Sequence, residues 1–218
     1  MARGLPGVWS TLVSLPFFIS GGYVYFVDTP YPDLLGLPLL LFGGFILLMG
    51  WYIHVVAMPP SPTMRDGEEI IDTRHPTQKA ALIKVLVGMP FLLVAGWLLV
   101  FTEMPYVYPT GTFILGMYLF STGIQTYWTN SLTTYFITNE RVISEFRLLS
   151  LVRKEVPLRK VRAVKESKSP IEAVVGVGNI QVSSGGGAGL NVTIQNIDAA
   201  TEFADQLRNL TGEASHSP

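Results

Sequence analysis

Basic residues are concentrated between positions 141 and 168, where charged side chains could bind an anionic surface. This stretch holds nine Lys and Arg residues against three acids, a local net charge of +6, whereas the whole chain has a net charge of -1. Near an anionic leaflet, each cation within a Debye length of the surface can contribute about 1 kcal/mol. The candidate lipid-binding or partner-binding residues are Arg147, Arg153, Lys154, Arg159, Lys160, Arg162, Lys165 and Lys168.

A second interpretation of these cations needs no ligand. Cytoplasmic segments of membrane proteins are enriched in Lys and Arg, and charged side chains solvate exposed strand faces. The sequence leaves this interpretation and lipid docking equally open. Nucleic acid is not an expected partner, because the chain lacks the aromatic residues among its cations that would stack on bases.

No residue pattern is typical of an enzyme or a metal site. The chain has no cysteine, which removes thiolate zinc sites and cysteine nucleophiles. His75 and His216 each lack a second ligand at a suitable spacing. We therefore expect a non-enzymatic protein with no catalytic residue, no metal and no cofactor.

Two further groups of polar residues have structural interpretations. Glu68, Glu69 and Asp72 form a small acidic cluster, which we expect to be solvated or paired with the basic residues. The glycine-rich segment 183–187 lacks the spacing of a phosphate-binding loop, and we expect it to form a hairpin turn.

Four stretches are long and apolar enough to cross a bilayer. The chain is 49% hydrophobic and only 14% charged, where soluble domains carry about 25% charged residues. We expect membrane-spanning helices at about 8–27, 34–56, 81–101 and 111–128, within a transmembrane region covering 1–130. Because no Asp, Glu or Arg lies within these spans, a small transporter is the least favoured function.

The distribution of cations predicts the orientation. The loops 28–33 and 102–110 contain no Lys or Arg, whereas Arg65, Arg74 and Lys79 lie between the second and third spans. Since short cytoplasmic loops are enriched in Lys and Arg, we expect a multi-pass cell-membrane protein with both termini in the cytoplasm. The first span exceeds the apolar region of a signal peptide, and cleavage there would not change the orientation of the other three.

The fourth span contains a possible packing seam. Gly116 and Gly123 are seven residues apart and therefore lie on one helix face, where small residues allow close helix packing. The partner helix could belong to the same chain or to a second subunit.

After the fourth span the hydrophobic period changes to two, which is typical of strands. A C-terminal helix should follow, beginning near Asp198, ending at Gly212 and presenting an apolar stripe of Phe203, Leu207 and Leu210. We expect a compact sheet domain at 131–212, closed by this helix and followed by a tail at 213–218. The predicted strands are 133–138, 141–146, 151–156, 161–166, 180–183 and 191–194.

Three segments of this region, 135–143, 155–161 and 175–182, resemble a hairpin, a turn and a strand of the bacterial PH-like domain of membrane proteins. Segment 66–76 resembles the lead-in that precedes a transmembrane hairpin in the same family. The resemblance implies an α+β membrane protein in which four transmembrane helices are followed by a seven-stranded, strongly bent sheet with a C-terminal capping helix. It does not imply the phosphoinositide ligand of eukaryotic PH domains.

These observations favour a membrane-anchored interaction module. Its basic surface would meet anionic lipid headgroups or an unidentified protein partner at the cytoplasmic face. The alternative is a structural subunit of a larger membrane complex or homo-oligomer, in which the helices form the interface.

Overall fold

A computed structural model describes residues 5–28, 32–56, 62–184 and 191–216 of the chain, with the side chains described as far as residue 212. The chain forms two compact units, one of residues 1–60 and 147–150 and the other of residues 61–146 and 151–218. The helices are α1 (Pro6–Phe26), α2 (Gly36–Val56), α3 (Lys79–Phe101), α4 (Val107–Leu132), α5 (Pro170–Val174) and α6 (Ala200–His216). The strands are β1 (Ile70–Arg74), β2 (Thr133–Thr138), β3 (Arg141–Arg147), β4 (Leu151–Pro157), β5 (Val161–Ser167), β6 (Val177–Ser184) and β7 (Asn191–Asp198).

The first unit is a helical hairpin of α1 and α2 that packs through small residues. A Cβ atom added to Gly21 would lie 2.9 Å from the carbonyl oxygen of Gly36. Without side chains at these positions, the two backbones can approach closely. At the C-terminal end of α2, the Tyr52 hydroxyl donates a hydrogen bond to the carbonyl of Leu148, a residue of this same unit (2.7 Å).

Three helical segments among the described residues are long and apolar enough to cross a membrane: α1, α3 and the segment Asp33–Val56. The predicted fourth span forms the helix α4, but α4 is not among them. Its C-terminal half carries the polar residues Ser121, Thr122, Gln125 and Thr126, which lower its mean hydropathy. Length and composition therefore support three of the four predicted spans.

In the second unit, α3 and α4 form an antiparallel hairpin with a glycine seam. A Cβ atom on Gly88 would lie 2.6 Å from the Phe120 nitrogen, and one on Gly123 would lie 2.7 Å from the Val85 nitrogen. A Cβ atom on Gly116 would lie 3.0 Å from the Leu92 nitrogen. The seam predicted from Gly116 and Gly123 thus meets α3 of the same chain.

The strands form two antiparallel sheets, with the orders β1-β2-β3-β4 and β5-β6-β7. β1 precedes the α3–α4 hairpin and β2 follows it, yet the two strands pair, with Arg74 opposite Tyr135. The hairpin is therefore inserted between neighbouring strands of one sheet. Segment 66–76, predicted only as a lead-in, contributes an edge strand, while the domain limits of 131–212 stay a prediction.

The core of the second unit lies between the two sheets and α6. Ile137 and Val142 of the first sheet pack with Ile180 and Val192 of the second. The predicted stripe of α6 is confirmed, because Phe203 and Leu207 are buried in this core and Leu210 packs against it. The helix does not end at Gly212 but continues to His216. The mixed α+β architecture, with N-terminal helices, a sheet region and a C-terminal helix, is confirmed.

The glycine seam gives a test of the α3–α4 packing. We expect Gly88→Ala to destabilise the protein by about 1–3 kcal/mol, because the added methyl group would overlap the α4 backbone at Phe120. Gly96→Ala is the matched control, since this position lies in the same helix and has open space around its Cβ atom. Thermal unfolding of both variants in detergent micelles measures the difference; equal melting temperatures would contradict the close packing.

Candidate functional site

Six of the eight candidate cations are exposed, and they lie on consecutive elements of the second unit. Five of them have no ion pair with any described residue, and we call these five the basic surface. They occupy β4, the 3-10 turn Leu158–Lys160 and β5. The members of the basic surface are Lys154, Arg159, Lys160, Arg162 and Lys165.

The other three candidates do not belong to this set. Arg153 pairs with the buried Glu145 at 2.6 Å, and the exposed Lys168 pairs with Glu166 at 2.9 Å. Arg147 is half-buried at the end of β3. The structure therefore reduces the predicted run of cations to five free charges.

The basic surface begins at the end of the sheets that points away from the α3–α4 hairpin. β2 leaves α4 at Thr133, and the turn at its far end holds the 3-10 segment through a hydrogen bond from the Leu158 nitrogen to the Glu140 carbonyl (2.8 Å). Six residues of extended strand span about 20 Å. Arg159 and Lys160 therefore lie more than a Debye length of about 8 Å from the helix ends.

β5 starts at this far end and runs back towards the helices. Its first residue, Val161, is paired with Ser184, and its last residue, Ser167, is paired with Asn179. Arg162 thus lies near the far end, and Lys165 lies closer to the helices. The charges of the basic surface are spread along the strands and are concentrated at the far end.

A buried charge network lies beside the basic surface. Arg141 donates two hydrogen bonds to Glu68 (2.8 and 2.9 Å) and a third to Glu155. The Thr138 hydroxyl also donates to Glu68 (2.7 Å), whose side chain is fully buried. The hydrogen bonds from Arg141 lower the pKa of Glu68 from 4.5 to about 2, although burial opposes ionisation.

This network decides between the two expectations for the acidic cluster. Glu68 was expected to be solvated or paired with a basic residue, and only the second expectation holds for it. Glu69 is exposed and Asp72 pairs with Arg74. The network attaches the segment before β1 to the β2–β3 turn and uses Arg141 and Glu155 internally.

Sequence analysis missed a group of amides that joins the helix hairpin to the second sheet. The Asn130 side chain of α4 donates to the Thr77 carbonyl (2.9 Å), and Asn196 of β7 donates to the Asn130 side-chain oxygen (3.1 Å). The Thr77 nitrogen donates in turn to the Asn196 carbonyl (2.7 Å). Asn196 has a φ of 53°, in the left-handed region that Asn tolerates better than most residues. Because these partners are far apart in the chain, no local pattern marks them.

Within the part of the chain that the structure describes, no group of three or more His, Cys, Asp or Glu residues is placed to hold a metal ion. His75 instead lies with its Nδ1 atom 3.4 Å from the Thr134 hydroxyl. In the predicted turn 183–187, Ser183 is paired with Asn191 across β6 and β7, and residues 185–187 lie outside the described residues.

Comparison with known proteins identifies the family of the second unit. Residues 80–211, more than half of the chain, match the family model described as Bacterial PH domain. This match confirms the resemblance found in the sequence. No curated protein and no solved structure matches the chain.

The Glu68–Arg141 pair predicts a pH-dependent stability. Because the pKa of Glu68 is lower in the folded state, its contribution is complete above the unfolded value near 4.5 and is lost as pH falls towards 2. We expect Glu68→Gln to lower the free energy of unfolding by about 3 kcal/mol at pH 7, since it leaves Arg141 without its main buried partner. The variant should also lose less stability than the unmodified chain between pH 5 and pH 3.

Thermal unfolding in detergent across this pH range tests both effects. The exposed neighbour provides the control, since Glu69→Gln removes a charge without entering the network. Equal stability of the two variants at pH 7 would contradict a stabilising role for the Glu68–Arg141 pair.

Proposed function

This chain belongs to the bacterial PH domain family, and we propose from this premise that it is a non-enzymatic interaction module anchored in a membrane, whose basic surface binds an acidic protein partner in the cytoplasm. PH domains are generally non-catalytic interaction modules, which supports the choice of a binding role. The single observation that carries the proposal is the set of five cations without acidic partners among the described residues, on β4, the 3-10 turn and β5.

The proposed membrane anchoring rests on the length and composition of α1, α2 and α3. The pairing of β1 with β2 gives a separate argument that α4 also crosses the membrane. α3 has 23 residues, which at 1.5 Å per residue cover about 34 Å, enough for the hydrocarbon core. β1 enters α3 and β2 leaves α4, and the two strands are paired in one sheet. If α3 crosses the bilayer, α4 must cross it in return. This argument supports a fourth span despite the polar residues of α4.

The cytoplasmic position of the sheet domain follows from the distribution of cations. The α3–α4 loop, residues 102–110, contains no Lys or Arg, whereas Arg65, Arg74 and Lys79 lie between α2 and the first turn of α3 and ten Lys and Arg residues follow α4. The tendency of cations to remain in the cytoplasm places the α3–α4 loop outside and the domain inside. Both termini are then cytoplasmic as well.

The position of the basic surface favours a protein over the lipids of the same membrane. Arg159, Lys160 and Arg162 lie about a strand length from the helix ends, where the attraction of anionic headgroups is largely screened. An acidic protein segment in the cytoplasm can reach these residues directly, so its attraction to them is not weakened by the distance from the membrane. Complementary charges of this kind chiefly raise the rate of association and the specificity.

The test uses the full chain, because a fragment beginning at residue 131 would lack β1. The chain is placed in nanodiscs of zwitterionic lipid, and binding of a fluorescent polyglutamate peptide is followed by anisotropy at increasing salt. We expect binding that weakens with salt, and that weakens about tenfold when Arg159, Lys160 and Arg162 are all replaced by Ala, a change of about 1.4 kcal/mol.

A control variant removes the same number of charges elsewhere. Lys79, Lys168 and Arg208 are each exposed and already paired, with Asp198, Glu166 and Asp205 respectively. Their replacement by Ala should leave peptide binding nearly unchanged. If both variants lost peptide affinity equally, binding would depend on net charge alone. If the chain bound added anionic vesicles but not the peptide, a lipid ligand would be favoured. Either result overturns the proposed partner.

A further inference from the structure

The short helix α5 exposes apolar side chains at the end of the domain opposite to the far basic residues. Val174 is 82% exposed and Ile171 is 39% exposed. Ala173 between them is exposed as well. An isolated apolar side chain on a protein surface is ordinary, but here four of the five residues of α5, Pro170 included, are apolar and exposed.

The local sequence fixes α5 and turns its only acid inwards. Ser169 and Glu172 form a capping box: the Ser169 nitrogen donates to the Glu172 carboxylate (2.7 Å), and the Glu172 nitrogen donates to the Ser169 hydroxyl (3.4 Å). The Asn179 side chain donates to the same carboxylate (2.8 Å). Burial opposes ionisation of Glu172, but these hydrogen bonds and the charge of Lys84 lower its pKa below the ordinary value.

Contacts with α3 define the level of α5 along the membrane helix. α5 packs against α3, and Lys84, whose charge acts on Glu172, lies five residues after the start of that helix. Five residues of helix correspond to about 7.5 Å along its axis. The Asn179 side-chain oxygen also accepts a hydrogen bond from the Asn196 nitrogen (2.9 Å), so α5 is attached to the amides at the helix ends.

From this position we propose that α5 lies in the headgroup region of the cytoplasmic leaflet and places Ile171 and Val174 against lipid. The inference rests on the proposed anchoring of α3. The exposed apolar surface of α3 reaches this level of the helix, since Leu82 and Leu86, two residues before and after Lys84, are 47% and 56% exposed. Lipid is the favoured occupant because it surrounds any helix that spans the bilayer. The domain then has two separate surfaces, an apolar one for lipid beside the helices and a basic one for the acidic partner.

The absence of cysteine allows a direct measurement of depth. Val174→Cys is spin-labelled in the full chain and reconstituted into liposomes, and power saturation compares collisions with oxygen, which concentrates in lipid, and with a water-soluble nickel chelate. We expect the label at position 174 to favour oxygen. Ile171→Cys should give the same shift, which guards against a local disturbance at one position.

Two reference positions distinguish failure of the α5 inference from failure of the proposed membrane anchoring. Leu93→Cys, in the middle of α3 where the side chain is 72% exposed, reports the lipid interior, and Arg159→Cys reports the aqueous phase. If the labels at 171 and 174 match the one at 159 while the label at 93 favours oxygen, the α5 inference is overturned and the anchoring stands. If the label at 93 is itself aqueous, the anchoring fails and the inference fails with it.

Discussion

The pairing of β1 with β2 is the interaction on which the arrangement of the second unit depends. These strands lie on either side of the α3–α4 hairpin in the chain, and their hydrogen bonds bring the two ends of that hairpin together. The glycine seam at Gly88, Gly116 and Gly123 then keeps the helices in contact along their length. The buried amides of Asn130 and Asn196 join the same helix ends to the second sheet. Sheet and hairpin therefore form one structure rather than a head attached by a linker.

Charge is used in two different ways on this domain. Arg141, Arg153 and Lys168 have acidic partners within the fold, and the first two take carboxylates that are fully buried. Such pairs gain little net stability over apolar residues, but removal of one partner leaves a costly buried charge. The cations of the basic surface have no such internal role among the described residues. This contrast, more than the count of basic residues, distinguishes candidate binding residues from structural ones.

Local patterns predicted the parts of the fold that local forces determine. β2 was predicted at its observed limits, because alternation begins directly after α4, and the stripe of α6 was predicted from its helical period. The pairing of β1 could not be predicted, since its partner lies beyond two long helices. The burial of Glu68 depends on the distant Arg141 in the same way. α5 is too short to show a period, although Ser169-Pro170 with Glu172 is a capping signal that could have identified it.

The split of the sheet domain by the helix hairpin has a consequence for biosynthesis. About 60 residues separate β1 from its partner strand, and at 5–20 residues per second the ribosome needs roughly 3–12 s to make them. During that interval the backbone of β1 has no strand to pair with, and under the anchoring proposed above α3 and α4 must both enter the bilayer before β2 can pair with β1. Membrane insertion of the hairpin would then be a step on the folding pathway of the sheet domain itself, and its timing would determine how long an open strand edge is exposed to other nascent chains.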